Sequence, residues 1–446
     1  LNQKSLAPIS FFNQNITFCN DGKKALINKG LSLRRKVFYF PPTPLLPFTT
    51  KFIFQEEYPS FEKISITMRL YLGLLIIFSL TTCQGKKENS ENWAGLSSGK
   101  ELTLEYAKGF QAFDYDDFVL VNIYRNTREA KDTIRYIFRR NQQAIPQAYR
   151  QLPQINIPIQ KLVCLSSTFL EPILMLGEID KIKGIDNQDH MTNTDILARL
   201  KNQEIQEVAK GGQLDQERIL ALDKPLIMDS GFGNSDELSQ LNSLGVSTVM
   251  NIDWQETTPL GRVEWIKYIA LFFGKEKEAD SIFRHIRQEY LKVKEIAKQA
   301  KEKPRVILEV PFQGSWYVSG GNSYSAQMLR DAQADYPWDG DTSRGAIPLD
   351  LEAVYPEGRK ADFWINLSSF KDKNSLLQLD KRFEEFKAFQ ENNLYNHNRI
   401  SNEKGGNDYW NSGVMNPHLV LSDLVKIFHP ELLPTHQLVY YQKLKD

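Results

Sequence analysis

The 446-residue chain has little cysteine, no excess of charge of either sign and no long apolar segment. Its three cysteines, Cys19, Cys83 and Cys164, are too few for a disulfide framework or a cysteine-rich zinc site. Lys plus Arg equals Asp plus Glu at 55 each, so no global field favours nucleic acid. The six histidines (His190, His285, His397, His418, His429 and His436) are scattered and do not pair at metal-ligand spacing. No strand-to-helix nucleophile elbow and no His-Glu-x-x-His helix can be drawn. Gly211-Gly212 lacks the further glycines of a phosphate loop. Aromatic residues, by contrast, exceed what packing needs, with seven Trp and eighteen Tyr.

The apolar run at 70–80 is shorter than the ~20 residues a membrane-spanning helix needs. It follows Met68-Arg69 and precedes Leu80-Thr81-Thr82-Cys83. A positive start, a short apolar core and small residues make a secretory signal over 68–83. The Leu-Thr-Thr-Cys end resembles a bacterial lipoprotein signal, which implies that Cys83 carries the lipid and that 84–100 is a polar tether. A plain signal peptide and a buried helix are the other readings. Met68 is the first methionine, and 1–67 carries a proline cluster without sustained periodicity. That segment is expected to be a non-native upstream translation and disordered.

Strand patterns dominate 101–158, notably Phe118 to Tyr124 and Thr133 to Phe138, and predict a small N-terminal β element. Cys164, inside Leu162-Val163-Cys164-Leu165, reads as a small buried residue. From 159 to 274 strands alternate with helical runs closed by Gly177, Gly245 and Gly274, the pattern of a mostly parallel α/β lobe. One helix is expected over 260–273. Residues 275–302 then run without Pro or Gly, with Ala279, Ile282, Phe283, Ile286, Tyr290, Val293 and Ala297 at helical steps. Such a helix would be roughly 40 Å long. It is read as a linker (275–303) between two lobes, a surface helix within one domain being the alternative. Pro304 opens a second α/β unit, 304–446, with strands at 305–310 and 361–366. The predicted architecture is α/β: two Rossmann-like lobes joined by one long α-helix, with a small N-terminal β element.

The order of these pieces resembles substrate-binding proteins of ABC importers, of the two-lobe class joined by a single long helix that serves vitamin B12, haem and iron–siderophore complexes. The resemblance rests on 161–168 with Leu176-Gly177, Ile182-Lys183-Gly184-Ile185, Gly211-Gly212 through Leu222, and Leu241 to Val246. In the second lobe it rests on Gly320-Gly321-Asn322-Ser323 and 347–352. It covers about 155–440. The N-terminal element and 405–410 look like a longer, Bacteroidetes-type subgroup. The resemblance implies a periplasmic, lipid-anchored monomer without catalysis or resident cofactor. Its partners would be ABC permease subunits with their ATPase, and a metal chelate or corrinoid as ligand.

Such a ligand calls for aromatic faces and a few aimed polar groups in a cleft outside the carboxyl ends of the strands. The turns there supply Ser167, Thr168, Phe232, Trp254, Trp316 and Tyr317. Trp338, Tyr409 and Trp410 lie in later loops, and Arg344 would suit a carboxylate or phosphate. Each has a structural alternative, a buried aromatic anchor or a surface arginine. The resemblance also implies one docking acid on each lobe for permease arginines: Glu352 in the second, Asp236 or Glu237 in the first. A lipid-anchored cell-envelope hydrolase is the second reading of the whole chain, and a surface scaffold or adhesion lipoprotein the third.

Overall fold

The computed structural model describes residues 99–126, 131–210 and 212–446. The signal, Cys83, the tether up to 98 and the segment 1–67 lie outside the described residues. No helix among the described residues is long and apolar enough to cross a membrane.

Three sheets organise the chain. The first, in order, joins β1 (Lys100–Glu101), β2 (Phe110–Asp114), β3 (Phe118–Asn126), β4 (Lys131–Arg139) and β5 (Gln154–Asn156). It is antiparallel except for β4 with β5. The second contains β6 (Leu162–Cys164), β7 (Ile182–Ile185) and β8 (Gln206–Glu207). Past a small hairpin, β9 (Ala209–Lys210) with β10 (Gln213–Leu214), it adds β11 (Leu226–Asp229) and β12 (Thr248–Met250). Its order is β12-β11-β6-β7-β8, all parallel. The third is built on β13 (Val306–Leu308). A hairpin of β14 (Trp316–Ser319) and β15 (Ala346–Leu349) intervenes. Then β16 (Phe363–Ile365) and β17 (Leu394–Asn396) pair in parallel, and β18 (Gln442–Lys443) closes the edge antiparallel. Buried on both faces, the short parallel strands are continuous apolar runs such as Leu162-Val163-Cys164. Cys164 is fully buried, which pushes its thiol pKa up.

The N-terminal sheet is fused to the first lobe. Phe110, Val121 and Phe138 share one core with Leu162, Ile173, Met228 and Tyr268. Two acids fasten the chain that leads into it. The carboxylate of Glu264, with no exposed surface, accepts from the backbone N–H groups of Glu105, Tyr106 and Ala107 at 2.7–3.1 Å and from Lys267 Nζ at 3.0 Å. Glu256 Oε1 accepts from the N–H groups of Lys108 and Gly109 and from Trp265 Nε1. The expected helix over 260–273 is therefore two, Pro259–Glu264 and Ile266–Leu271. The break falls at Trp265, whose N–H reaches Arg262 O three residues back, beside the two acids that turn inward.

The linker helix runs Glu276–Ala297, about 33 Å at 1.5 Å per residue. It stops five residues short of the expectation at 302. The apolar stripe ends at Ala297, and the chain must turn before Pro304. One stripe serves two cores. Ala279, Phe283 and Ile286 belong to the first-lobe core, and Tyr290, Val293 and Ala297 to a second-lobe core. Polar ties flank both halves: Arg140 to Glu276 at 3.2 Å on one side, Tyr290 Oη to Asp331 at 2.6 Å and Lys294 to Asp331 at 2.8 Å on the other.

A second connection crosses between the lobes. Asn402 Nδ2 donates to the carbonyls of Asp189 and Met191 at 3.0 and 2.9 Å, and Lys404 pairs with Asp189 at 2.8 Å. Thr192 Oγ1 donates to Asp408, and Asn411 Nδ2 to His190 O and Thr192 Oγ1. Gly406 allows this approach: a Cβ there would lie 2.8 Å from Asp189 O. Beyond the loop, Val414 and Met415 sink into the first-lobe core.

Replacing Glu264 by Ala would leave Lys267 buried without its acid and three N–H groups without an acceptor. Glu264→Ala is expected to cost about 3–5 kcal/mol in urea unfolding. It should also open 103–109 to limited proteolysis, whereas Glu278→Ala on the exposed face of the linker helix should change neither measurement.

Candidate functional site

The two lobes approach one another where the chain leaves β12. On the first lobe, β12 runs into Asp253 and Trp254. Asp253 Oδ2 holds Arg262 Nε at 2.7 Å, both side chains about 10% exposed. The Arg262 guanidinium lies 5.9 Å from the ring centre of Tyr324, at the start of a second-lobe helix (Tyr324–Asp331). Beneath them a small pocket of about 10 Å³, room for one water, is lined by Thr168, Asn251, Asp253 and Arg262 with Val414 and Met415. Asp253 Oδ1 is buried there without a hydrogen-bond partner.

Phe232 and Trp254, named separately from their turns, come together. Their ring centres are 4.2 Å apart, and Trp254 Nε1 donates to Ser230 O at 2.9 Å. The loop that carries Phe232 depends on Gly231 at φ +78°, whose N–H donates to Asp229 Oδ2. Phe232 is 49% exposed, a large apolar ring presented to solvent. Ser167 is buried, and Thr168 borders the small pocket.

On the second lobe Tyr409 and Trp410 form an aromatic group with His397 and Tyr441. Tyr409 stacks on His397 at 4.4 Å, and Trp410 stands edge-on to both rings. Trp338 is half-buried against Tyr336. Trp316 and Tyr317, taken together from sequence as cleft aromatics, part company. A strand alternates, so Trp316 points into the core with no exposed surface, donates to Leu308 O, and packs near Trp364, Phe383 and Phe386. Trp316 is thus a core anchor with no surface to offer a cleft, while Tyr317 is 43% exposed. Arg344 is exposed on the loop that precedes β15.

The acids named for docking occupy first helical turns: Asp236 and Glu237 in Ser235–Ser243, Glu352 in Leu351–Gly358. Carboxylates are favoured there by the helix dipole. Asp236 is exposed, whereas Glu237 accepts from Leu214 N–H and is half-buried. Glu352 is exposed and lies 3.5 Å from Arg382.

Three polar groups at the carboxyl edge of the third sheet escape a reading of turns alone. Glu309 and Asn366 directly follow the paired strands β13 and β16, and both hold a left-handed backbone, φ +65° and +62°. Non-glycine residues there store strain, which collects at functional sites. Asn366 Oδ1 accepts from Tyr441 Oη at 2.9 Å. His397 follows β17, and burial pushes its pKa down to about 4. Burial alone raises the Glu309 carboxyl to about 8. The sequence pattern counts both acid and amide into the expected strands 305–310 and 361–366. Their poor fit to a strand interior was the available signal.

At neutral pH Glu309 is a neutral acid when folded and a carboxylate when unfolded. The folded state binds the extra proton, so stability falls as pH rises from about 4.5 to about 8. Tyr336, Tyr409 and Tyr441 face it, their phenols pushed up by burial first and so uncharged throughout that window. Glu309→Gln should leave the melting temperature little changed near pH 4.5 and raise it above the parent's at pH 8.5, as read by calorimetry. A difference that does not depend on pH would contradict the assignment.

Residues 162–398, just over half the chain, match the family described as periplasmic binding protein. An uncharacterized lipoprotein of Methanocaldococcus jannaschii is 24% identical over 407 residues, 84% of this chain and 96% of that protein. Among solved structures, a periplasmic heme-binding protein from Pseudomonas aeruginosa covers 65% of this chain and 99% of its own at 19% identity and a TM-score of 0.49. A possible iron-binding, periplasmic solute-binding protein from Staphylococcus epidermidis covers 61% and 99% at 16% identity and a TM-score of 0.48. With the family match spanning both parallel sheets and the linker helix between them, the chain belongs to the periplasmic binding protein family.

Proposed function

We propose that this protein captures a metal chelate or corrinoid between its two lobes and delivers it to an ABC permease driven by its ATPase. The observation that carries the reading is the junction itself. Beyond the carboxyl end of β12, Asp253 and Arg262 of the first lobe approach Tyr324 of the second, and the Phe232–Trp254 pair follows β11 and β12 and stands partly exposed. Ligands of α/β sheets sit outside such carboxyl ends. A broad, partly flat ligand would cover the exposed ring of Phe232 and lie against Trp254, Tyr317, Trp338, Tyr409 or Trp410. Arg344, Ser167 and Thr168 stay within the proposal as polar contacts at its margins.

Cys83 is proposed as the lipid-bearing residue that tethers the protein to the cell-envelope membrane in the periplasm. The lipoprotein name of the Methanocaldococcus relative supports this. Asp236 and Glu352, exposed on first helical turns, are the docking acids proposed for the permease, with Glu237 less free because it already holds Leu214 N–H. Rim charges of this kind set the rate and orientation of encounter more than affinity.

Purified protein titrated with cobalamin, haem and ferric siderophores should show saturable quenching of tryptophan fluorescence by at least one of them. Trp265, Trp316 and Trp364 are fully buried, so Trp254 should carry much of the signal, and Trp254→Phe should shrink it. Absence of quenching by every compound would overturn the import reading.

A further inference from the structure

A second hollow lies on the joint between the lobes, a groove of about 360 Å³ walled by three parts of the chain. Met175 ends the first-lobe helix Leu170–Met175. Ile282, His285 and Ile286 stand at three- and four-residue steps on the linker helix. Asn416 and His418 flank the start of the second-lobe helix Pro417–Phe428. None of these residues belongs to the proposed cleft. Much of the wall is apolar: Ile286 is buried, and Met175 and Ile282 pack against the first-lobe core.

The donors in this groove are soft. Met175 brings a thioether, and His285 and His418 bring imidazoles close enough to feel each other's charge. Nδ1 of His418 is shielded from solvent and has no hydrogen-bond partner. A ring nitrogen in that state has given up water without a replacement, and no hydrogen bond fixes which nitrogen of the ring carries the proton. Glu289, the acid within electrostatic reach of His418, pairs with Lys292 at 3.7 Å. No group of three His, Cys, Asp or Glu side chains among the described residues could hold a metal ion. The donor set is therefore two imidazoles and a thioether, without thiolate or carboxylate. Zinc takes thiolate, imidazole and carboxylate, and calcium and magnesium take oxygen. A thioether beside imidazoles suits copper(I).

We propose that Met175, His285 and His418 form a binding site for copper(I) at the joint of the lobes, with one ligand from the first lobe, one from the linker helix and one from the second lobe. An ion held there ties together the elements that brace the cleft, and its binding free energy adds to their stability. The inference does not depend on the import reading.

The test uses the purified full chain under argon. Pretreatment with N-ethylmaleimide caps accessible thiols, and Cys164 is buried out of reach. With ascorbate present, the protein should take one equivalent of copper(I) from bicinchoninate, and X-ray absorption at the copper edge should show one sulfur and two nitrogen neighbours. Silver(I), a soft ion of the same charge, should raise the melting temperature, whereas zinc(II) should neither raise it nor displace copper(I). His285→Ala changes an exposed side chain and Met175→Leu conserves volume, so both should keep the parent's melting temperature without metal. Each should weaken copper(I) binding by about tenfold or more. The absorption spectrum is read on the unmodified protein, so a variant that misfolds does not shelter the idea. No uptake of copper(I), a spectrum without sulfur, binding undiminished in either variant, or displacement by zinc(II) overturns the copper site and leaves the import reading standing.

Discussion

One apolar stripe on one helix has to satisfy two hydrophobic cores. Phe283 and Ile286 are buried in the first lobe, Tyr290 and Val293 in the second, and all four lie on a single face of Glu276–Ala297. Each large side chain contributes about 1.5–3 kcal/mol by leaving water. The lobes cannot rotate about this helix without pulling one half of the stripe from its core. Polar ties sharpen the constraint at both ends, because Asp331 collects Tyr290 and Lys294 while Glu276 meets Arg140. Helix and cores together fix where the carboxyl ends of the two sheets point.

The loop after β17 adds a second restraint between the lobes. Opening the lobes would break the hydrogen bonds of Asn402 and Asn411 to the 189–192 backbone and side chains, and would draw Val414 and Met415 out of the first core. Hinge-closing proteins keep such crossings few and flexible. Here helix and loop tie the two lobes together at two places, as the proposed capture of a ligand in a pre-formed cleft requires. Under the proposed function, the partly exposed Phe232 beside Trp254 stands on a frame set before any ligand arrives.

Much of this was legible in local pattern. The 3.6-residue period of Ala279 to Ala297 announces the linker helix, the alternation of β runs with glycine-stopped helices announces the first parallel sheet, and the runs at 305–310 and 361–366 announce the second. What the pattern did not fix were endpoints and long-range ties. Nothing in 298–302 breaks a helix, so the pattern runs on to Glu302; the helix ends where there is no longer a core to bury against. Glu256 and Glu264 gave no sign of being anchors, since their partners lie about 150 residues away at 103–109. In the candidate site, turn chemistry picks out Phe232 and Trp254 singly, without their pairing, and does not tell Trp316 from Tyr317. That distinction is one step of strand register, and only packing decides which neighbour faces inward. Glu309, Asn366 and His397 were hidden for a related reason: each directly follows a strand, and a sequence pattern blurs strand ends by a residue or two.

The central claim is mechanical, and small-angle X-ray scattering tests it most directly. Profiles of the purified protein without ligand and saturated with a bound chelate should superimpose, with the same radius of gyration and the same longest dimension. A clear contraction on binding, of the kind produced when two domains close about a hinge, would contradict the braced two-lobe account.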